Sequence, residues 1–479
     1  MFFHCRVNLS GYKDKKKARN VVILHSNYKL MDIQKILANL NLKKLSPMQE
    51  NAVALIRNNI NAVVLAPTGS GKTLAFLLPL IETINTESDQ LQALILSPTR
   101  ELALQTLNVL KAMKTDCRAL CCYGGRPAMD EHRQIVGTRP HIIIGTPGRL
   151  NDHISKQNFD TATIKTLVVD EFDKMFELNF QDEVEQLLES VPQRQRCILV
   201  SATDMKEIPE FVAFRHRQPA VLNYLDKHNA TAQGITHHVV HSPQKDKLET
   251  LHQLLCAIGE RQAVVFVNYR EAVERTGQYL VEQGHSVSMF HGGLEQQDRE
   301  SALSLFRNGS ANVLVSTDLS ARGIDVPTLQ NAIHYHLPLN REAYIHRCGR
   351  TGRWEEEGKS YIILGPEEKL PDFNVEFNPM ELQAPFAAPA KPQWVTIYIG
   401  RGKKDKLSKG DIVGFFCKIG GIKGQDIGMI DIRDRFSYVA IRKSVSNTVL
   451  RNIAGEKIKK MSTRIEQIKI KRHNLNIKR

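Results

Sequence analysis

The chain has 479 residues and a net charge of +14, and 42% of its residues are hydrophobic against 24% charged. This balance excludes an intrinsically disordered chain, and the length exceeds one ordinary core, so we expect two or three domains. The longest apolar runs are short and proline-interrupted, and the N-terminus has no apolar segment of signal-peptide length. We therefore expect a cytoplasmic protein with no membrane partner.

The eight cysteines are scattered along the chain. Cys117, Cys121 and Cys122 lie close together, but no second pair at zinc-ligand spacing follows them. We interpret the cysteines as small core residues in a reducing compartment.

The excess positive charge lies at the C-terminus. Residues 393–479 contain 21 Lys and Arg against 7 Asp and Glu, whereas residues 1–392 contain 44 of each sign. Such a concentration is typical of a nucleic-acid-binding module attached to a neutral body. The alternative is a solvated basic tail without structure.

Short apolar runs alternate with helix-length segments over most of the chain, which predicts parallel sheets covered on both faces. The predicted strands of a first α/β domain are Ala62–Leu65, Ala93–Ser97, Arg118–Tyr123, His141–Ile144, Thr166–Val169 and Cys197–Val200. The pattern restarts after His241, and the second domain's strands are Ala263–Val267, Ser286–Phe290, Asn312–Val315, Ala332–His336 and Ser360–Leu364.

The proline-rich stretch at 366–392 predicts a semi-rigid linker without regular structure. Beyond it the pattern predicts a small split-βαβ domain, which argues against a disordered tail. Its predicted elements are a strand at Trp394–Ile399, a helix at Lys406–Lys418, strands at Gly428–Ile432 and Phe436–Ile441, a helix at Asn447–Met461 and a strand at Ile465–Lys471.

The segment APTGSGKT (66–73) follows a predicted strand and opens a helix-like segment, the context that a phosphate-binding loop requires. Glycines let backbone N–H groups surround phosphate oxygens, and the helix N-terminus adds its positive dipole. Lys72 would reach the β- and γ-phosphates and the Thr73 hydroxyl would bind magnesium. Ala66 replaces the usual first glycine, and the alternative is an ordinary glycine-rich turn.

The segment VVDE (168–171) supplies a second set of phosphate-site residues. A carboxylate at the end of a buried strand is costly unless it holds a cation. Asp170 would bind magnesium through water, and Glu171 would orient or deprotonate the attacking water. The alternative is an acidic helix cap.

These motifs and those that follow resemble the DEAD-box ATP-dependent RNA helicases over about residues 25–365. The quoted strings are SPMQ ending at Gln49, PTRELA (98–103), TPGR (146–149), SAT (201–203), VVFVN (264–268), HGGLEQQDR (291–299), STDLSARGID (316–325) and HRCGRTGR (346–353). The resemblance implies two tandem RecA-like parallel-sheet domains with ATP in the cleft between them. Bound ATP and RNA would close the cleft and bend one RNA strand.

The resemblance also implies roles for individual residues. Gln49 would read adenine, Asp325 would contact the ribose, and Arg350 and Arg353 would stabilise charge on the transferring phosphoryl group. The residues expected to bind the phosphates and magnesium are Ala66, Pro67, Thr68, Gly69, Ser70, Gly71, Lys72, Thr73 and Asp170. Those expected to couple hydrolysis to RNA are Asp173, Ser201, Thr203, His346 and Arg347. Those expected on RNA phosphates and sugars are Pro98, Thr99, Arg100, Gly125, Thr146, Gly148, Arg149, Thr317 and the 291–299 segment.

The chain departs from the family at Phe172, where the namesake tetrapeptide has alanine, and at Leu42, where an aromatic residue usually packs near the adenine. The phenylalanine must find room beside the SAT segment. Asp170, Glu171 and Asp173 are all present, so we expect hydrolysis with ATP and Mg²⁺.

The C-terminal segment resembles the RNA-binding domain of DbpA/YxiN-type DEAD-box proteins, an RRM-like α+β fold, over about 393–472. That resemblance implies a hairpin of large-subunit (23S) ribosomal RNA as the partner of a monomeric helicase. Lys403, Lys404, Lys406 and Arg442 are its candidate RNA contacts. The predicted strand at Phe436–Ile441 puts Phe436 and Tyr438 on one face, where they could stack bases or pack in the core.

The favoured function is therefore an RNA-stimulated ATPase that remodels ribosomal RNA during large-subunit assembly. An ATP-gated RNA clamp with little turnover, supported by Phe172, and a general cold-shock or mRNA-decay helicase remain alternatives. We expect a disordered leader at 1–24, domains at 25–228 and 229–365, the linker at 366–392, the RNA-binding domain at 393–472 and a basic tail at 473–479.

Overall fold

The structure, a computed structural model, describes residues 32–468 except 68, 126, 192–193, 204–217, 226–234, 318–328, 349–357 and 374. The expected leader and basic tail lie outside these residues. The described part forms two seven-stranded parallel sheets and a four-stranded antiparallel sheet. The predicted class of two RecA-like parallel-sheet domains with a small α+β domain is confirmed.

The first sheet has the order β3-β4-β2-β5-β6-β1-β7, with every strand parallel to its neighbours. Its strands are β1 Asn61–Leu65, β2 Ala93–Leu96, β3 Ala119–Cys122, β4 Ile142–Gly145, β5 Thr166–Val169, β6 Arg196–Ser201 and β7 Ala220–Asn223. The six predicted strands are present because their apolar runs are largely buried, and only the first two residues of the edge strand β3 and Arg196 of β6 are half-buried. Strand β7 was missed since it is a short, half-exposed edge strand.

Eight helices of the described residues cover this sheet. They are α1 Ile33–Asn39, α2 Pro47–Asn58, α3 Lys72–Glu82, α4 Arg100–Ala112, α5 Ala128–Thr138, α6 Pro147–Ser155, α7 Phe172–Glu177 and α8 Gln181–Ser190. Helices α3, α4, α6 and α7 each begin a few residues after the preceding parallel strand ends. The connections that carry the sequence motifs therefore gather at one edge of the sheet.

The second sheet has the order β10-β11-β9-β12-β13-β8-β14. Its strands are β8 Ile235–His241, β9 Ala263–Val267, β10 Val287–Phe290, β11 Val313–Thr317, β12 Asn331–His334, β13 Gly358–Leu364 and β14 Asn378–Pro379, and its helices are α9 Leu248–Ile258, α10 Arg270–Glu282, α11 Gln296–Arg307 and α12 Arg341–Cys348. The expectation that the pattern restarts after His241 was wrong. Strand β8 ends at that residue, and its polar histidine and threonine side chains obscured the apolar pattern.

The proline-rich stretch is not a free spacer. Strand β14 pairs with β8, and Phe373 is buried with its ring stacked on Tyr344 of α12. Met380 and Leu382 pack against the second domain's core. The expectation of no regular structure therefore fails over β14, although most of the stretch is irregular.

The third domain has the predicted βαββαβ order, with strands in the order β16-β17-β15-β18. Its elements are β15 Trp394–Ile399, α13 Lys409–Lys418, β16 Ile427–Ile432, β17 Ser437–Arg442, α14 Lys443–Asn452 and β18 Ile465–Gln467. Helix α13 begins three residues later than predicted because Ser408 and Asp411 form a capping box. Helix α14 lies earlier than the predicted 447–461, and left-handed residues at Gly455, Lys459 and Lys460 prevent its continuation.

The two faces of the third domain's sheet have different partners. One face packs on α13 and α14 around Ile397, Val439 and Ile441. On the opposite face Thr396 Oγ1 lies 2.8 Å from Ser310 Oγ, just beyond α11, and both residues are buried. The third domain is therefore docked on the second.

The aromatic residues of the third domain lie on this docked face. Tyr438 is 2% exposed and is hydrogen-bonded to Ser301 of α11. Phe436 and Tyr398 are half-buried, with ring centroids 5.1 and 6.0 Å from that of Tyr438. Tyr438 therefore neither packs in the third domain's own core nor lies open to stack a base, because its ring is buried at the interface with the second domain.

Phe172 packs in the core of the first domain. It is the first residue of α7, is 2% exposed and contacts Phe176 edge-on at 4.8 Å between ring centroids. It belongs to the buried cluster that contains Val169, Met175 and Leu199.

Among the described helices none is long and apolar enough to cross a bilayer.

Replacing Phe172 with alanine, the family's usual residue, should destabilise the first domain by about 3–5 kcal/mol because it leaves a cavity in this cluster. Hydrogen exchange of the β5 and β6 peptides in increasing denaturant measures the loss. Phe172→Leu, which retains most of the volume, should cost much less. Equal protection in wild type and Phe172→Ala would contradict this packing.

Candidate ATP and RNA sites

The phosphate-binding loop connects β1 to α3. Gly69 and Gly71 both have φ of 82°, a backbone conformation that residues with a side chain rarely adopt. Lys72 is the first residue of α3, and its Nζ donates to the carbonyl oxygens of Ala66 at 2.7 Å and Pro67 at 3.1 Å. A buried ammonium group at a helix N-terminus fits an anionic phosphate chain. Thr68 lies outside the described residues.

Alanine suffices at position 66 because its backbone, not its side chain, makes the contact. Ala66 N–H donates to the carbonyl of Ser201 at 3.1 Å, which joins the loop to the SAT segment on the neighbouring strand. Ser70 Oγ donates to the Pro67 carbonyl at 2.7 Å, and Thr73 lies half-buried in the first turn of α3. The predicted phosphate residues that the structure describes are therefore brought together.

Gln49 contacts the loop directly. Its Nε2 donates to the Gly71 carbonyl at 3.2 Å, and its Oε1 accepts from Ser46 N–H at 2.8 Å within a capping box at the start of α2. A Cβ added at Gly71 would lie 2.3 Å from Gln49 Nε2. The absence of a side chain at Gly71 therefore lets the glutamine reach the loop.

Asp170 and Glu171 follow β5 and lie opposite the loop. Asp170 is 4% exposed and its Oδ1 accepts from Glu171 N–H at 3.0 Å. Burial, reinforced by the neighbouring Glu171 carboxylate, raises the pKa of Asp170 to about 7 against the opposing pull of Lys72. Glu171 has φ of 48°, a strained conformation of the kind found at functional sites. A buried carboxyl group of this kind fits a divalent cation.

The coupling residues of the first domain are in contact with one another. Thr203 Oγ1 donates to Asp173 Oδ2 at 2.7 Å, and Thr203 N–H donates to Ser201 Oγ at 3.1 Å. Asp173 is 5% exposed, and Lys174 Nζ lies 3.7 Å from the same Oδ2. The SAT segment is thus joined to the residue that follows Phe172.

A cavity of about 750 Å³ lies where the first domain faces the 291–299 segment of the second. It is lined by Pro98, Thr99, Arg100, Glu101, Gly124, Ala128, Thr146, Gly148, Arg149, Asp152, Lys156, Leu178, Phe180, Gly292 and Arg299. Six of the individually predicted RNA-binding residues are among these, together with Gly292 and Arg299 of the predicted 291–299 segment. Gly125 lies beside the cavity, where a Cβ would be 2.3 Å from Arg100 Nη1. Thr317, at the end of β11, does not line it.

A buried carboxylate that sequence reasoning missed holds Arg149 in place. Glu131 Oε2 lies 3.2 Å from Arg149 Nε and 2.9 Å from His153 Nε2, while its Oε1 accepts from Tyr123 N–H at 3.1 Å. Glu131 is 3% exposed and His153 is fully buried. Tyr123 follows β3, Glu131 lies on α5, and Arg149 and His153 lie on α6, so the sequence carries no signal that places Glu131 against them.

The two domains are joined by a buried ion pair. Arg299 of α11 donates from Nε at 3.0 Å and from Nη2 at 2.7 Å to Glu101 Oε1 of α4. Both residues are less than 10% exposed, and the Arg299 guanidinium lies 5.1 Å from the centre of the Phe290 ring. Beside this pair Arg100 Nη1 donates to Gln296 Oε1 at 3.0 Å.

The remaining predicted residues of the second domain are only partly described. Arg350, Arg353 and Asp325 lie outside the described residues. His346 is 8% exposed. Arg347 is 2% exposed and donates to the His336 carbonyl at 2.7 Å and to Asn268 Oδ1 at 3.0 Å, so these contacts lie within the second domain.

Three of the four basic candidates of the third domain lie in one turn. Lys403 and Lys404 are exposed, and their N–H groups donate to the carbonyls of Arg433 at 2.8 Å and Asp434 at 2.9 Å. Lys406 ends the turn with φ of 56°. Arg442 lies apart, 3.3 Å from Asp426 and over the Trp394 ring.

This basic turn faces the first domain. Arg435 Nη2 lies 3.3 Å from Asp130 Oδ2 of α5. Burial, and then the charge of Lys403, lower the pKa of Lys111 in α4. Helices α4 and α5 both contribute residues to the cavity at their N-terminal ends, so the turn lies along the same pair of helices.

Comparison with known proteins identifies this arrangement. The DEAD/DEAH box helicase family matches residues 46–211, the helicase conserved C-terminal domain matches 246–355 and the DbpA RNA binding domain matches 396–467. The chain is 33% identical over 438 residues to the ATP-dependent RNA helicase DbpA of Escherichia coli (strain K12), which covers 89% of this chain and 94% of that protein. The chain belongs to the DbpA-type DEAD-box ATP-dependent RNA helicases.

Other relatives agree with this assignment. The chain is 30% identical over 467 residues to DbpA of Bacillus subtilis (strain 168), covering 90% of this chain and 97% of that protein. It is similar to Saccharomyces cerevisiae Dbp5 bound to RNA and ADP BeF3, with 26% identity, a TM-score of 0.64 and coverage of 72% of this chain and 92% of that one. The helicase is an ATP-hydrolysing, RNA-binding enzyme.

Substituting the interdomain pair should weaken RNA-stimulated hydrolysis. Glu101→Gln leaves Arg299 buried without a counter-charge, and Arg299→Met does the same to Glu101, so each alone should destabilise the joined domains by about 3–5 kcal/mol. The double variant, which buries no unpaired charge, should lose less than the sum of the two. A double-mutant cycle on RNA-stimulated ATPase rate and interdomain fluorescence energy transfer measures this coupling. Strictly additive effects would contradict the pair.

Proposed function

We propose that this helicase remodels large-subunit ribosomal RNA during ribosome assembly in the cytoplasm, holding an RNA hairpin with its third domain. The observation that carries this proposal is the basic turn at 401–406, which lies near Lys111 of α4 and is bonded to the 433–434 backbone next to Arg435, the partner of Asp130 on α5. RNA bound in the cavity between the two RecA-like domains would continue onto this turn.

The hydrolytic chemistry is assigned to the first domain's carboxylates. Thr73 and Asp170 would hold Mg²⁺, which supplies charge neutralisation between the phosphates when bound. Lys72 would bind the phosphates, and Glu171 would orient or deprotonate the attacking water. Gln49 would bind adenine by exchanging its contact with Gly71. From the second domain Asp325 would contact the ribose, and Arg350 and Arg353 would stabilise the transferring phosphoryl group.

We assign RNA binding by the third domain to its turns rather than to its sheet. Tyr438, the aromatic residue best placed on the sheet to stack a base, is covered by α11. Lys403 and Lys404 are exposed and face the first domain's RNA side. A hairpin would therefore be held through its phosphates by these lysines while the helicase body engages the flanking strand.

One observation bears on the alternatives. The clamp with little turnover rested on Phe172, but the Thr203–Asp173 contact is made with Phe172 packed in the core, so Phe172 no longer supports it. A general cold-shock or mRNA-decay helicase would be stimulated equally by any RNA. We assign specificity for one RNA to the third domain, residues 393–472. The segment 366–392 connects it to the two RecA-like domains, which we place at 25–228 and 229–365. We propose that the helicase is a monomer.

The direct test compares ATPase stimulation by large-subunit ribosomal RNA fragments with stimulation by unrelated RNA of equal length. We expect a strong preference for one ribosomal fragment. Deleting residues 393–479 should abolish that preference while leaving weak general stimulation. Equal stimulation by all RNAs, or a truncated enzyme that still discriminates, would refute the proposed target and division of labour.

Lys403→Ala combined with Lys404→Ala should weaken hairpin binding uniformly and flatten its salt dependence by about 0.7–0.9 per lost phosphate contact, because fewer counterions are released. Fluorescence anisotropy at several salt concentrations measures the slope. Lys418→Ala combined with Lys423→Ala is the matched control, since both lysines are exposed at or just beyond the C-terminal end of α13, whose N-terminal end follows the basic turn. An equal loss of hairpin affinity in the control variant would contradict RNA binding at the basic turn.

Glu171→Gln should lower RNA-stimulated ATP turnover by about 10²–10⁴-fold, because it removes the group assigned to the attacking water. Arg350→Ala should lower it by about 10³–10⁵-fold by removing charge stabilisation. Both variants should still bind a fluorescent ATP analogue, which separates chemistry from binding. Turnover like that of the wild type in either variant would overturn its assigned role.

A further inference from the structure

Two histidines and a cysteine converge on the second domain. His252 and Cys256 lie one helical turn apart on α9, and His285 follows the end of α10. His252 Nδ1 is 2.9 Å from His285 Nε2 and 3.8 Å from Cys256 Sγ, and one ligand atom from each of the three residues lies within 4.8 Å of the others.

The backbone fixes these three positions. Residues four apart on a helix share a face, so α9 aims His252 and Cys256 in one direction. Gly284 has φ of 90° just after α10, and His285 N–H donates to the Leu280 carbonyl at 2.9 Å, which is the Schellman arrangement. Cys256 is 4% and His285 8% exposed, while His252 is half-buried and leaves an approach from solvent.

We propose that His252 Nδ1, His285 Nε2 and Cys256 Sγ bind one divalent transition metal of the Zn²⁺ class, with water in a fourth position. Tetrahedral zinc with ordinary bond lengths separates two nitrogens by about 3.3 Å and a nitrogen from a sulfur by about 3.6 Å. The observed separations of 2.9 and 3.8 Å differ by a few tenths of an ångström, which side-chain rotation supplies. Imidazole and thiolate ligands select zinc over magnesium or calcium.

Metal binding at this site releases one proton in total, from the cysteine thiol. A histidine binds a metal through a neutral imidazole. On binding, the Cys256 thiol releases its proton to solvent. Without metal, His252 Nδ1 and His285 Nε2 share a hydrogen bond, so one of these two nitrogens carries a proton. On metal binding the donor imidazole loses that proton to solvent and takes one up from solvent on its other nitrogen, so both rings stay neutral and both facing nitrogens bind the metal. Lys391 is exposed and its Nζ donates to the Gly284 carbonyl, so it does not occupy the ligand position.

A second cluster of metal-ligating residues provides a contrast. Cys122, Glu131 and His153 also lie close together, but Glu131 is bonded to the Arg149 guanidinium and to Tyr123 N–H. A metal there would have to displace a fixed cation. Among the described residues these are the two such clusters, and the one on α9 has no bound guanidinium.

The proposed metal would join α9 to the segment after α10, away from the residues assigned to ATP and RNA. Titration of the full-length protein with Co²⁺ under reducing conditions tests this site. We expect one equivalent to bind with a thiolate-to-cobalt charge-transfer band, displaced by Zn²⁺, and increased hydrogen-exchange protection of α9.

Matched variants locate the site. Cys256→Ser should abolish the charge-transfer band, and His285→Asn should weaken Co²⁺ binding by at least the 10- to 100-fold that loss of an outer-shell partner costs. Cys5→Ser and Cys417→Ser should leave the titration unchanged, and RNA-stimulated ATPase activity reports whether each variant is folded. Absence of the band in the wild type, its persistence in Cys256→Ser or its loss in either control would overturn the proposal.

Discussion

The ion pair between Glu101 and Arg299 is the interaction on which this arrangement depends. Neither charge can remain buried alone, because an unpaired buried ion loses several kcal/mol of solvation. The cavity that gathers the predicted RNA residues includes Glu101 from one domain and Arg299 from the other. It therefore exists in this form only while the domains are joined. The pair thereby ties RNA binding to the relative position of the two sheets.

Helix α11 transmits that position to the third domain. Its N-terminal half carries Gln296 and Arg299, which contact the first domain, and Ser301 next to them contacts Tyr438 of the third. Just beyond its C-terminal end Ser310 is bonded to Thr396. Since one helix contacts both neighbours, the RNA-binding domain is oriented by the same element that joins the RecA-like domains.

Local physics made much of the fold and site predictable. Buried parallel strands are apolar over their whole length, so all eleven strands predicted for the two large sheets have a counterpart in the structure. The phosphate loop was recognisable because Gly69, Gly71 and Lys72 must follow a strand and precede a helix. Strand β8 escaped because its polar histidines break the apolar run, and α14 was misplaced because the terminating left-handed residues include lysines rather than glycine alone.

The long-range contacts could not be derived in the same way. Glu101 and Arg299 are 198 positions apart, and Glu131 reaches Arg149 across different elements. Whether Tyr438 is buried depends on which surface of the second domain packs against the third domain's sheet, and the sequence does not show this. Likewise His285 follows a different helix from His252 and Cys256, so counting cysteine spacings gave no indication of their convergence. Such contacts are set by packing between elements rather than by sequence period.

The central claim is that one RNA runs from the interdomain cavity onto the basic turn of the third domain. Photo-crosslinking of a 4-thiouridine-substituted ribosomal hairpin with a single-stranded extension, in the presence of a non-hydrolysable ATP analogue, tests it most directly. The account predicts that the extension crosslinks to peptides around Arg100 and Arg149, and the hairpin to the peptide carrying Lys403 and Lys404. Crosslinks of the hairpin to Tyr398 and Tyr438 on the docked sheet face, with none to the turn, would contradict it.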